Sequence, residues 1–323
     1  MRNLIHTISL AGGLLCTSLL NAQGIFSTSE LYKSTRSIGM GGITAVSAPN
    51  AFSIYENASS TAYSDRKVEA GVMYSPWAKN STNNMERNNL LINAAAYYSL
   101  DADNKLLLGI GYYAPGGNNL YPTDNEGNIT GDRLKPQYMS VHAGYARRLS
   151  SAWGISAVVN YAHWNPGYDG SANAIGIDLG TTYRLQLDAD ASFLDVALKA
   201  TGWGGVVSDE GDYKLPGIIA AGILWNKPVA EKHQVNVGGE IGYRCLDEQA
   251  LRASAGAEYS YNSFVFVRCG YSYTNLYSNL NSYATVGAGI RLLSHIQMDF
   301  SYLLAKNESP FKNTYAVGLS VLF

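Results

Sequence analysis

From Val235 onward the chain alternates with period two. Val235, Val237, Ile241 and Tyr243 fall on one parity, and Gln234, Asn236, Glu240 and Arg244 on the other. The next segment repeats the pattern, with Leu251, Ala253, Ala255, Ala257 and Tyr259 against Arg252, Ser254, Gly256, Glu258 and Ser260. Later, Ile296, Met298, Phe300 and Tyr302 oppose Gln297, Asp299 and Ser301. Successive side chains of an extended chain point to opposite faces, so each run is a strand with one apolar and one polar face. Turn residues separate the runs.

Two architectures share this pattern, and strand length separates them. Strands of a soluble sandwich run about 5–6 residues, whereas a strand crossing a bilayer needs about 9–11. The runs here are of the longer kind. Tyr or Trp recurs near their ends, at Tyr74, Tyr98, Tyr112, Tyr161, Trp164, Trp225, Tyr259, Tyr273 and Tyr302. Rings with an apolar body and a wet tip favour the two membrane interfaces. Only 15% of residues are charged, against about 25% in an ordinary soluble domain. No apolar stretch after residue 22 approaches the roughly 20 residues of a spanning helix; the longest is Gly217 to Trp225. The expected fold is therefore an all-β transmembrane antiparallel barrel.

The pattern gives about 14 strands, near 66–77, 89–100, 105–114, 138–148, 153–164, 171–184, 193–203, 215–227, 232–245, 249–261, 263–274, 282–293, 295–305 and 314–323. Connections after odd strands are mostly long, with Asn118 to Lys135 in the longest, and those after even strands are tight. Long outer loops and short periplasmic turns are the rule for such barrels, so both termini are expected in the periplasm. The short Cys245 to Gln249 connection fits that rule poorly. The last strand carries Tyr315, Val317, Leu319, Val321 and Phe323 on one face, and a terminal aromatic after alternating apolar residues looks like an assembly signal.

Arg2, the apolar run Leu4 to Leu20 and the small Ala22 read as a secretory signal peptide over residues 1–22. The mature part is then about 300 residues, with a barrel over 66–323 and an N-terminal hatch over 23–65. That hatch segment is rich in Gly, Ser, Thr and Ala, does not alternate, and would plug an otherwise open lumen. Cys245 and Cys269 lie two strands apart, roughly 9.5 Å, beyond disulfide reach; both are expected as free, inert thiols. The net charge of −2 argues against nucleic acid as a partner.

Within the hatch, Thr35-Arg36-Ser37-Ile38-Gly39-Met40-Gly41-Gly42 and then Ala51-Phe52-Ser53-Ile54-Tyr55-Glu56-Asn57 resemble the hatch of the FadL superfamily of outer-membrane transporters. The resemblance implies fourteen strands and an N-terminal plug, with Arg36, Gly39, Met40, Gly41, Gly42, Tyr55 and Asn57 as hatch motif. Gly256-Ala257-Glu258-Tyr259-Ser260-Tyr261, Arg268-Cys269-Gly270-Tyr271, Gly287-Ala288-Gly289-Ile290 and Asp299-Phe300-Ser301-Tyr302 resemble the PorV/PorQ branch, linked to type IX secretion. One departure stands out: the family's hatch reads Tyr-x-Asn-Pro-Ala, whereas Ala58 follows Asn57 here, which leaves that turn less rigid.

Chemistry is sparse, and no enzyme activity is expected. His142, His163, His233 and His295 are scattered without metal-ligand spacing, so no metal is expected. Ser140 and His142 share a strand face, but no third orienting residue completes a nucleophilic set. Gly39-Met40-Gly41-Gly42 lacks the strand and helix of a nucleotide loop and is a tight plug turn instead. Asp124-Asn125-Glu126-Gly127-Asn128 fails the calcium-loop spacing and reads as a solvated outer loop. No cofactor is implied.

The inward parity carries both signs of charge: Asp178, Arg184, Asp195, Lys199, Glu240, Arg244, Arg252, Glu258, Arg268, Arg291 and Asp299. Mixed charge implies a paired internal network tying hatch to wall, rather than the single-sign ring of an ion pore. The segment 215–225 is apolar on both parities, so Ile218, Ala220 and Leu224 either offer a lumen patch to a lipid-like ligand or pack on the hatch. Two functions follow. The resemblance implies an interaction or docking component of type IX protein secretion, with secretion components or secreted cargo as partners. The alternative is a conduit for fatty acids or other hydrophobic solutes through a gated hatch. Either works within outer-membrane lipid.

Overall fold

The computed structural model describes residues 34–76, 89–114, 121, 126, 128–132, 135–165, 167, 170–187, 191–207, 215–246, 249–275, 282–306, 309 and 311–323. The expected export segment, the start of the hatch and most of the Asp124–Asn128 loop lie outside them.

Among the described residues fourteen strands close into one antiparallel barrel. They are β1 (Val68–Ser75), β2 (Leu90–Ser99), β3 (Asn104–Ala114), β4 (Gln137–Arg148), β5 (Trp153–Asn165), β6 (Ala172–Gln186) and β7 (Phe193–Val206), followed by β8 (Ile218–Ala230), β9 (His233–Arg244), β10 (Ala250–Tyr261), β11 (Val265–Thr274), β12 (Tyr283–Leu292), β13 (Ile296–Ala305) and β14 (Tyr315–Leu322). Each strand pairs with its sequence neighbours, and β1 closes on β14 through partners such as Val72 and Leu319. Closure leaves no unpaired edge, which a bilayer without hydrogen-bonding solvent demands.

Alternation decides what faces each side. On β3, Leu106, Leu108 and Ile110 point outward while Lys105 and Leu107 are buried inside. Ile223, Ile241, Val267, Tyr271 and Phe300 extend the exposed apolar surface around the barrel. So much contiguous apolar area is a liability in water and fits hydrocarbon. Tyr74, Tyr98, Tyr161, Trp225, Tyr259 and Tyr273 lie on this same outer face.

Most strand ends fall within two residues of the expected ones, but β8 lies three residues later at both ends and β7 ends three residues late. It runs to Val206 because its pairing with β6 shifts between Ile177 and Leu179, where Asp178 faces both Thr201 and Gly202. This bulge reverses the parity of β7 and hides its last residues from a period-two reading. Gly202 takes a positive φ of 69°, and its N–H donates to Asp178 Oδ1 at 2.7 Å. Asp178 therefore ties down a backbone irregularity.

Cys245 is buried and Cys269 exposed, and both are free. Among the described residues the hatch occupies the lumen as a short helix, α1 (Thr35–Gly39), and two 3₁₀ turns, Ala51–Tyr55 and Ala58–Tyr63. Polar residues at every start fix these turns: Ser34, Asn50 and Asn57 each accept a backbone N–H as N-caps.

Candidate functional site: the hatch and its two cavities

The hatch is held to the wall from two sides. Residues 34–46 dock on β7 to β14. Arg36 donates from Nε and Nη2 to the two oxygens of Glu258, at 3.0 and 2.8 Å. Glu258 also accepts from Arg268 Nε at 2.5 Å, and Arg268 reaches Asp299 through Nη1 at 2.5 Å. A second carboxylate, Glu240, accepts the backbone N–H groups of Thr44 and Ala45 at 2.6 and 2.5 Å. Arg252 also donates to Glu240, while Lys199 Nζ donates to the Thr44 hydroxyl at 2.6 Å. Buried charge is tolerable here because each carboxylate gains several charge-assisted bonds.

Between these clamps the chain turns against the wall itself. Gly41 and Gly42 have φ of 73° and 81°, a conformation that side chains disfavour. Gly270 and Gly256 face one another on β11 and β10, and they leave the space that Met40 and Gly41 fill. Thr285 accepts the Gly41 N–H and donates to the Gly39 carbonyl, each at 3.0 Å. Ser301 donates to the Thr35 carbonyl at 2.7 Å.

Residues 50–64 dock on the opposite wall. The Tyr55 hydroxyl donates to the Ala94 carbonyl at 2.8 Å, and the ring lies over Gly109. Tyr63 donates to the Ala152 carbonyl at 2.7 Å. Asn57 joins the two halves, donating to the Ala45 carbonyl at 2.7 Å while its oxygen caps Ser59. This side-chain cap starts the turn Ala58–Tyr63. Glu56 is buried beside it, bonded by Ser47 at 3.1 Å, and burial raises its carboxyl above the ordinary range despite nearby Arg36.

The other sequence-selected residues divide. Arg291 makes no ion pair with the clamp carboxylates and is held by Gln297 Oε1 at 3.0 Å from Nε and 2.6 Å from Nη2. Arg244 is buried at the far end of β9, in register with Ile218. Leu224 packs with Ile43, Val46 and Ala197 under the hatch, and Ala220 is buried in the same wall. Ile218 instead lines a cavity beyond the hatch. Phe323 is exposed, and its carbonyl accepts from Lys67 and Val68 at the barrel seam. The contacts of Gly256, Gly270, Thr285 and Ser301 with the hatch are not legible in the sequence, which marks them only by small size on the inward parity and, for Gly256, Gly270 and Ser301, by the resemblance motifs.

Two cavities flank the hatch. One of 350 Å³ opens toward the short-turn end and is lined by Arg36, Arg66, Glu258, Arg268, Arg291 and Asp299, among others. One of 80 Å³ lies toward the long-loop end, against Tyr55, Tyr138, Ser140, His142, Leu215 and Ile218. His142 packs edge-on to Tyr55, with centroids 4.9 Å apart. No group of metal-ligating residues occurs among the described residues.

The barrel of fourteen strands around an inserted N-terminal segment matches solved structures over nearly its whole length. The chain has the fold of FadL-type barrels. The Ralstonia pickettii toluene transporter TbuX superposes with a TM-score of 0.62 at 15% identity, over 93% of this chain and 100% of that one. The Pseudomonas putida toluene transporter TodX gives 0.61 at 13% identity, over 91% and 99%. A Pseudomonas aeruginosa FadL homologue gives 0.52 at 10% identity, over 90% and 98%. No family model matches the chain, and no curated protein matches its sequence. Of the hatch motif residues, Arg36, Gly41 and Tyr55 bond directly to the wall, and Asn57 joins the two halves of the hatch.

Proposed function

We propose that this protein is a non-catalytic outer-membrane conduit for hydrophobic solutes, closed by its hatch. The observation that carries the reading is an inward apolar cluster beyond the hatch. Tyr138, Ala162, Ala172, Ala174 and Leu215 are buried together, with Tyr113, Trp164 and Val206 against them. Hatch residues take no part in that cluster, unlike the Leu224 patch that Ile43 and Val46 cover. An apolar surface inside a barrel whose lumen is otherwise polar is a resting place for a hydrophobic solute. The structural likeness to proteins described as toluene transporters supports the same class of solute.

In this reading the short turns and both chain ends face the periplasm, and the long connections face outward. A tag near Asn125 is then reachable on intact cells. Transport is tested by uptake of labelled toluene into cells carrying the protein or Leu215→Glu. Saturable uptake that Leu215→Glu abolishes, with the barrel still folded, supports the conduit. Equal uptake with and without the protein sinks it.

The resemblance to the PorV/PorQ branch supports a second reading, docking in type IX secretion. Its motif residues Gly256, Glu258, Arg268 and Gly270 here serve the joint between wall and hatch, so they do not distinguish the two. Recovery of secretion components in a pull-down from outer membranes would favour docking.

A further inference from the structure

We infer that the cavity at the short-turn end is a binding site for an oxyanion, a carboxylate or phosphate group, centred on Arg291. Four guanidinium groups line it: Arg36, Arg66, Arg268 and Arg291. Three have carboxylate partners. Arg36 holds Glu258, Arg66 holds Glu69 at 2.7 Å, and Arg268 holds Glu258 and Asp299. Those three carboxylates, Glu69, Glu258 and Asp299, balance the three cations. Asp65 also reaches the lining, but it is exposed at the rim and interacts with Lys105.

Arg291 is the cation left over. Among the described residues it has no carboxylate within ion-pair distance, only the neutral Gln297 oxygen. Its guanidinium lies over the Phe266 ring, 5.0 Å from the centroid. Arg268 lies over the same ring at 5.4 Å. The two guanidiniums thus flank the Phe266 ring in the cavity wall. Arg268 is fully buried, yet its Nη2 has no hydrogen-bond partner among the described residues. A buried guanidinium N–H without an acceptor is costly, and an oxyanion held in this cavity by Arg291 would offer Arg268 an acceptor and give Arg291 the ion-pair partner it lacks. Guanidinium forks suit planar carboxylates and phosphates alike. Gln297 keeps Arg291 in place when the site is empty, so little ordering is needed on binding. The site is separate from the apolar cluster, which lies on the other side of the hatch, and it stands whether or not solutes are conducted.

The test uses the full chain in nanodiscs of zwitterionic lipid, titrated calorimetrically with hexanoate, hexanol and inorganic phosphate. Hexanoate or phosphate is expected to bind saturably at one site, and hexanol is not. Arg291→Gln should weaken that binding about tenfold or more, the scale of one charge-assisted hydrogen bond, whereas Arg291→Lys should retain part of it. Raising the salt concentration should weaken it as well. Preference for hexanoate assigns the site to the acidic head of an amphiphile, and preference for phosphate assigns it to a free or lipid-borne phosphate. Leu215→Glu should leave the affinity unchanged, which separates this site from the proposed solute path. If Arg291→Gln does not fold, Phe266→Leu reads the same site by releasing both guanidiniums. Absence of saturable binding by either anion overturns the proposal, as does binding that survives loss of the Arg291 charge.

Discussion

Arg36 and Glu258, 222 residues apart in sequence, meet in a two-bond ion pair that fastens the hatch to β10. Breaking a buried pair from one side leaves an uncompensated charge and costs about 3–5 kcal/mol. Arg36→Gln should therefore loosen the hatch, measured as faster proteolysis within residues 34–65 while the barrel stays folded. Because Arg268 still neutralises Glu258, the loss should fall toward the lower end. Unchanged protease resistance would show that the pair does not hold the hatch.

Val267 and Arg268 are neighbours with opposite fates: Val267 is 54% exposed and Arg268 2%. Val267→Arg should cost about 2–4 kcal/mol if the site lies near the bilayer midplane, read by urea unfolding in lipid. Arg268→Val should spare insertion but leave Glu258 with one cation and Asp299 with none. Equal stability of Val267→Arg and the parent would reverse the face assignment of β11.

Gly270 admits no side chain while the hatch is seated. A Cβ there would approach Gly41 N and the Met40 carbonyl carbon to 2.2 and 2.4 Å. Both are backbone atoms, so Gly270→Ala should unseat the hatch turn, at an overpacking cost of about 1–3 kcal/mol. The change should raise small-solute leakage through the reconstituted barrel without altering the folded yield. Parental leakage and protection would contradict the seating.

Glu56 gives the hatch a pH dependence. Burial raises its carboxyl, against the pull of Arg36 and of hydrogen bonds from Ser37, Asn50 and Ser47. A carboxyl that rises on closure binds its proton more tightly in the closed state. Its contribution is therefore present in full below the ordinary carboxylate value and is lost as the pH rises through the raised one. The hatch should resist protease better at about pH 5 than at about pH 8, and Glu56→Gln should flatten that difference. A difference that persists in Glu56→Gln must arise elsewhere.

Phe323 closes the barrel seam. Its carbonyl accepts from Lys67 and Val68 at 2.7 and 3.0 Å, and its N–H donates to Val68 at 2.9 Å. Deleting it should lower the heat-modifiable folded form on gels with synthesis unchanged. An equal folded yield would rule out a role in assembly.

The sequence by itself determined which residues are strands and, for most of them, which face is which, because a period of two survives in most membrane-crossing segments and lipid tolerates no polar outward row. Val267 and Arg268 could be assigned to opposite faces before any fold was known. That reading failed where the backbone left the period: β7 outruns its expected end because the Asp178–Gly202 bulge reverses parity. Sequence also marked Glu240, Glu258 and Arg268 as inward, but could not say which charges meet. Glu240 takes hatch N–H groups and Arg252, Glu258 takes Arg36 and Arg268, and Arg291 is left with a glutamine. Those pairings depend on barrel stagger and on where the hatch turns at Gly41, both set by contacts more than two hundred residues apart. Local periodicity fixes direction along one strand; only the closed tertiary structure fixes what each side chain meets across the lumen.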